Sequence, residues 1–173
     1  MAGISALQLK VPAVDPLLDD LRAVLPAGST VAEPAHISFG YPWMEPAAGR
    51  AALDDVATAL AREAPFDVEL AGPRRFEPDE QGRVTVWIEP YPPAALHALS
   101  WVIADASGHD IDDFTPHCSL VKLPPGADPG PLERLLHDRI PVRARLSTVE
   151  FRVHSDTDGW QVERTMPLGA GSH

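Results

Sequence analysis

Two short segments of this chain follow the same plan, and that plan limits what can surround them. The first reads Pro34-Ala35-His36-Ile37-Ser38-Phe39-Gly40-Tyr41-Pro42, the second Thr115-Pro116-His117-Cys118-Ser119-Leu120-Val121-Lys122-Leu123-Pro124. In each, a proline precedes the histidine, a serine follows it by two positions, and another proline closes the run. Side chains on a strand alternate between faces, so residues i and i+2 point the same way. Each strand offers an imidazole and a hydroxyl to one side, and Ile37 with Phe39, or Cys118 with Leu120, to the other. A fold using both strands must therefore give each one a core on one face and a polar groove on the other. With 7 histidines in 173 residues, roughly one chance His-x-[Ser/Thr] match or fewer is expected. Two in one proline frame, 81 residues apart at 36 and 117, form an internal repeat. The other histidines (His97, His109, His137, His154, His173) lack a hydroxyl at that spacing.

The surrounding patterns are mixed. Residues 4–11 alternate like a strand; Asp15 then sits where it would cap a helix beginning at Pro16, with Leu17, Leu18, Leu21, Val24 and Leu25 on one face. Residues 36–41 read as a strand, and 46–63 as a helix ended by Pro65. Residues 66–71 and 84–89 read as strands, Arg74 to Phe76 extending the first and Pro90 closing the second, with turn-forming residues 77–82 between them. A helix over 92–107 is capped by Gly108, a strand covers 117–123, and a short helix 129–138. Residues 142–154 and 160–166 form a closing hairpin. Nothing resembles a linker, so the expectation is one α+β domain over residues 1–173, with mainly antiparallel sheets flanked by helices.

Charge narrows the partners. The formal net charge is -11, from 14 Lys+Arg against 25 Asp+Glu. Residues 1–64 carry 4 basic and 8 acidic side chains, 65–116 carry 3 and 10, and 117–173 carry 7 and 7, with Arg139, Arg143, Arg145 and Arg152 close together in the last stretch. Such a chain does not present a broad surface for long RNA, because phosphate contacts demand clustered Lys and Arg. No stretch is long and apolar enough for a membrane span, and the first ten residues lack the pattern of a secretion signal, so a cytoplasmic location is expected; a monomer is expected as well. The lone cysteine, Cys118, excludes an intramolecular disulfide and a Cys-rich zinc site; a small buried hydrophobe is the expectation.

The paired His36-Ile37-Ser38-Phe39 and His117-Cys118-Ser119-Leu120 resemble the two H-x-[ST]-h motifs, h being hydrophobic, of the 2H phosphoesterase superfamily. That group includes the 2'-5' RNA ligase-like proteins and the 2',3'-cyclic nucleotide phosphodiesterases. The resemblance extends over most of the chain in element order. It implies a bilobal α+β fold with pseudo-two-fold symmetry, two mainly antiparallel sheets, and a central groove lined by the motif strands. It also implies His117 as base and His36 as acid.

Two imidazoles and two hydroxyls suffice for cyclic phosphodiester hydrolysis. One histidine takes a proton from water and the other protonates the departing alkoxide, since imidazole titrates near neutral pH. Ser38 and Ser119 supply donors to the phosphate oxygens. No metal or other cofactor is required. The expected substrate is a small nucleotide or short RNA end bearing a 2',3'-cyclic phosphate, or a related 2'-5' phosphodiester. Tyr41 and Trp43 are placed to stack on a base. Lys122 is a phosphate-binding candidate, although strict alternation turns it away from His117 and Ser119 unless the strand bulges. Arg74, Arg75 and Arg83 could reach a terminal phosphate or simply balance nearby acids. Two other readings compete. One is a catalytically idle module that binds a nucleotide or RNA end; the other is a metal-dependent hydrolase using His109, Asp110, Asp112 and Asp113. A serine hydrolase lacks its Gly-x-Ser-x-Gly elbow, and there is no glycine-rich phosphate loop.

Overall fold

The alternation and helical spacing set out above resolve into nine strands and four helices in a computed structural model, which describes residues 3–111 and 113–169. In chain order these are β1 (Ile4–Lys10), α1 (Asp15–Arg22), β2 (Thr30–Val31), β3 (His36–Gly40), α2 (Pro46–Leu60), β4 (Phe66–Arg75), β5 (Val84–Tyr91), α3 (Ala94–Ser107), β6 (Cys118–Leu123), α4 (Gly130–Arg139), β7 (Val142–Leu146), β8 (Thr148–Ser155) and β9 (Gly159–Pro167).

The strands pair antiparallel in the order β7-β4-β5-β6-β3-β1-β8-β9, with β2 attached to β6. That order reads symmetrically from its middle. The second motif strand, β6, is flanked by β5, β4 and β7, and the first, β3, by β1, β8 and β9. The two expected sheets are thus two halves of one continuous sheet, stitched at a single β3–β6 register pair, Ile37 opposite Cys118. Both side chains are fully buried, so apolar burial holds the junction where few backbone bonds do.

Helices α2 and α3 pack on one another. Leu53, Val56 and Leu60 from α2, and Leu96, Leu99 and Ile103 from α3, join Leu7, Leu9, Ile37, Phe39, Ile88 and Leu120 from the strands in one core. Gly108 ends α3 at φ +65°, a left-handed position that glycine adopts without a Cβ penalty. The Glu45 carboxylate caps α2, accepting from the Ala47 and Ala48 backbone N–H groups.

Three local expectations are corrected, and one short strand is added. Asp15 does not cap its own helix; its carboxylate accepts from the Ala35 N–H at 2.9 Å, because a three-residue 3-10 turn, Pro12–Val14, runs straight into α1. Pro90 does not end β5, since β6 pairs only as far as Ile88 and a missing N–H beyond that point breaks no bond to it. Residues 142–154 are not one strand: the chain turns at Ser147, so β7 joins β4 and β8 joins β1, in opposite halves. The two-residue β2 has too little length to carry a periodic signal.

Candidate active site

The β3–β6 junction fixes the site. With Ile37 and Cys118 turned into the core, His36, Ser38, His117 and Ser119 line a single cavity of about 770 Å3. His36 begins β3, and His117 immediately precedes β6. Both imidazoles are held alike. The His36 Nδ1 lies 2.7 Å from the Pro34 carbonyl oxygen, and the His117 Nδ1 lies 2.7 Å from that of Thr115. A carbonyl only accepts, so each Nδ1 carries a hydrogen and each Nε2 is the nitrogen left to exchange a proton. Asp15 secures the first motif through Ala35; the corresponding residue of the second is Pro116, which has no N–H to satisfy.

The repeat extends into the strand geometry. In β3 the register passes from Ser38 opposite Gln8 to Gly40 opposite Leu7, leaving Phe39 as an extra residue. In β6 it passes from Ser119 opposite Trp87 to Val121 opposite Val86, leaving Leu120 extra. Both motifs thus bulge at their fourth position, and a bulge shifts the phase of every side chain beyond it. As a result Tyr41 and Lys122, each five residues after its histidine, line the same cavity as the histidines. Lys122 lies opposite Thr85, and its Nζ is 3.4 Å from the Asp79 carboxylate.

Trp43 does not join them, which corrects its expected stacking role. It is 3% exposed, with its ring 5.8 Å edge-on from Phe151 and packed over Gly49 and Gly40. A Cβ added at Gly40 would lie 2.8 Å from Trp43 Cδ1 and 3.0 Å from its Cα, so the close approach of this loop requires the glycine. The aromatic at the groove mouth is instead a pair: Tyr41, largely exposed, tilts against Trp160 at 5.8 Å, and His154 backs Trp160 at 5.3 Å.

The halves differ in their surroundings. His117 is packed edge-on by Phe76 at 4.9 Å and by Trp87 at 5.7 Å. His36 instead has Arg152 and Glu150 nearby, and its pKa is lowered, first by burial and then by the Arg152 and His117 charges, against the bond to Pro34. Burial pushes the Cys118 thiol up to about 12, so it is a core residue and no nucleophile.

The other cationic candidates are engaged elsewhere. Arg74 pairs with Glu89, Arg75 with Glu133, and Arg83 with Asp79. Arg139, Arg143 and Arg145 pair with Asp20, Glu69 and Asp67. Of Arg139, Arg143, Arg145 and Arg152, only the last lines the groove. Sequence reasoning missed it, along with Gln8, Phe76 and Trp160, though alternation from His154 back to Arg152 and Glu150 carried a weak signal for one face. Of the 109–113 segment, Ile111 and Asp113 reach the cavity and Asp112 lies outside the described residues. Among the described residues no three His, Cys, Asp or Glu side chains converge as a metal cage, and no helix is long and apolar enough to cross a membrane.

Comparison with known proteins points the same way. The family model of the 2'-5' RNA ligase superfamily matches residues 11–158. Similar solved structures include E. coli LigT complexed with 3'-AMP, at 14% identity and a TM-score of 0.68 over 96% of this chain and 98% of that one. TT0787 of Thermus thermophilus superposes at 15% identity and a TM-score of 0.69, over 98% and 100%. Usb1 of Kluyveromyces marxianus does so at 14% and 0.61, over 96% and 99%. At these identities the likeness is one of fold. No curated protein matches the sequence.

Proposed function

The chain belongs to the 2'-5' RNA ligase superfamily, the 2H phosphoesterases, and from that premise we propose that it hydrolyses a 2',3'-cyclic phosphate, or a related 2'-5' phosphodiester, on a nucleotide or short RNA end. The observation that carries this reading is the matched pair of imidazoles in one groove, each with Nδ1 tied to a carbonyl and Nε2 left open.

In the proposed reaction a water oxygen attacks phosphorus and gives its proton to one Nε2. The ring P–O bond breaks, and the departing ribose oxygen takes a proton from the other imidazole, leaving a phosphomonoester and a free hydroxyl. Ser38 and Ser119 donate to the non-bridging oxygens, where charge accumulates. Burial and Arg152 favour neutral His36, which suits it to be the base and leaves the role of acid to His117. This inverts the assignment that the family resemblance implies. Tyr41 and Trp160 offer ring faces to a nucleobase at the groove mouth, in keeping with the 3'-AMP that LigT carries.

The acidic surface favours a small or terminal substrate. A mononucleotide needs only a few local donors, whereas a long RNA meets a net charge of -11. Incubation with a 2',3'-cyclic nucleotide in chelator, followed by phosphorus NMR, tests the reading. Turnover to a single monoester is expected, and a His36→Ala/His117→Ala protein should be inactive. Undiminished turnover in that double variant overturns the mechanism.

A further inference from the structure

Beside His36 the groove wall carries a charge arrangement that neither the repeat nor the acid-base step demands. On β8, Glu150 and Arg152 lie two residues apart; Glu150 faces Gln8 across the ladder, and Gln8 in turn faces Ser38. The Glu150 side chain is only 8% exposed and that of Arg152 only 14%. Glu150 is 3.1 Å from Lys10 Nζ and 3.5 Å from Arg152 Nε. Lys10 is itself the cross-strand neighbour of His36. Two cations thus share one carboxylate, which leaves a unit of positive charge in a largely buried wall.

Buried charge is ordinarily paired, and a buried donor ordinarily bonded. Here the Arg152 Nε is buried with no hydrogen-bond partner, its contact with Glu150 being ionic only. In a chain of net charge -11, a cavity-lining arginine that must share its one carboxylate with a lysine is conspicuous. The pseudo-two-fold does not require it, since Phe76, beside Thr85, takes the corresponding place in the other half. The planar fork of arginine matches phosphoryl oxygens.

We infer that Arg152 is a phosphate-binding residue of the groove on the His36 side, and that Glu150, anchored by Lys10, is the positioning residue that aims its guanidinium. The inference rests on reading the groove as a phosphoester site, but its ligand contact does not depend on turnover.

Titration calorimetry of the full chain with inorganic phosphate at pH 7 tests it, beside the cyclic-nucleotide assay. The wild type binds phosphate, and Arg152→Gln weakens binding roughly tenfold or more, the worth of one charge-assisted contact. Arg152→Lys, which keeps the charge and the packing but loses the fork, weakens it by less and carries the test if the glutamine variant fails to fold. Glu150→Gln separates aim from charge. Removing a carboxylate should tighten phosphate binding if only net charge matters; a positioning role weakens it. Unchanged binding in both Arg152 variants, or no phosphate binding by the wild type, overturns the assignment, and tighter binding by Glu150→Gln overturns the positioning. Arg152-dependent phosphate binding without cyclic-nucleotide turnover would instead sink the catalytic reading and leave this one standing.

Discussion

The Asp15 carboxylate accepts a 2.9 Å hydrogen bond from the Ala35 backbone N–H, so the first helix holds the residue adjoining His36. Ala35 is 1% exposed, and without this acceptor its N–H would be buried unpaired. Asp15→Ala should therefore cost about 1–3 kcal/mol in urea unfolding. It should also lower kcat/KM by roughly tenfold, because the first imidazole loses its placement. Asp15→Asn, which keeps an acceptor oxygen, should recover most of both; failure to do so would mean the negative charge, not the bond, matters.

Each histidine taken singly is expected to be worth about 10²–10⁴ in rate. His36→Ala and His117→Ala should both fall by that order on a cyclic nucleotide, and each should remove one limb of the pH profile of kcat/KM. If His36 is the base, the limb lost in His36→Ala is the acidic one. Loss of the alkaline limb instead would restore the opposite assignment.

Burial first, and Arg152 next, lower the His36 pKa below the ordinary 6.5. The sign follows directly: as pH falls below 6.5 the unfolded chain takes up this proton before the folded one does, so stability declines until the folded value is passed. Above that ordinary value the group contributes nothing. Denaturant unfolding at about pH 7.5 and about pH 5.5 should show the wild type losing more stability than His36→Asn. Equal losses would show that other groups set the acid response.

Trp43 and Tyr41 stand two residues apart in sequence yet face opposite environments, one in the core and one at the groove mouth. The Trp43 Nε1 is buried without a partner, so Trp43→Phe gives up a group that bonds nothing. That change should cost about 1–3 kcal/mol for the ring volume lost and leave KM unmoved. Tyr41→Ala or Trp160→Ala should raise KM for a nucleotide severalfold without lowering Tm appreciably. A raised KM in Trp43→Phe would return it to the site.

The Asp79 carboxylate, held down to about 2 by the backbone N–H of Arg83, its guanidinium and the N–H of Gln81, knots the β4–β5 turn and reaches Lys122. A depressed carboxylate contributes above its ordinary value of 3.8 and is lost as pH falls toward 2. Protection of the 79–83 amides, measured against their intrinsic exchange, should therefore fall over that range in the wild type, and be low throughout in Asp79→Ala. Protection in the variant equal to that of the wild type would place the turn's order elsewhere.

Much of this site was legible in the sequence because strand alternation is a two-residue rule. His36, Ser38, His117 and Ser119 needed only adjacent positions to be put on one face, and Ile37 and Cys118 on the other. Tyr41 and Lys122 needed one fact more, the bulges at Phe39 and Leu120, which arise from pairing with β1 and β5 and leave no local mark. Trp43 misled because a tryptophan beside a motif reads alike whether its ring turns outward or drops over Gly40 and Gly49. Arg152 was hidden for a related reason: it enters the groove only because β8 pairs with β1, and that pairing depends on the turn at Ser147.

That turn also dictates an order of events during synthesis. The half of the sheet bearing the second histidine is contributed almost wholly by a continuous stretch, β4 through β7, complete once Leu146 has left the ribosome. The half bearing the first histidine begins with the earliest strand and cannot close until β8 and β9 emerge to cover it. Until then the outer edge of β1, the strand that pairs with the His36 strand, stays open in a nascent chain. A chain truncated after Leu146 would keep both motif strands and their junction but lose β8 and β9, and with them Arg152 and Trp160 from the groove wall.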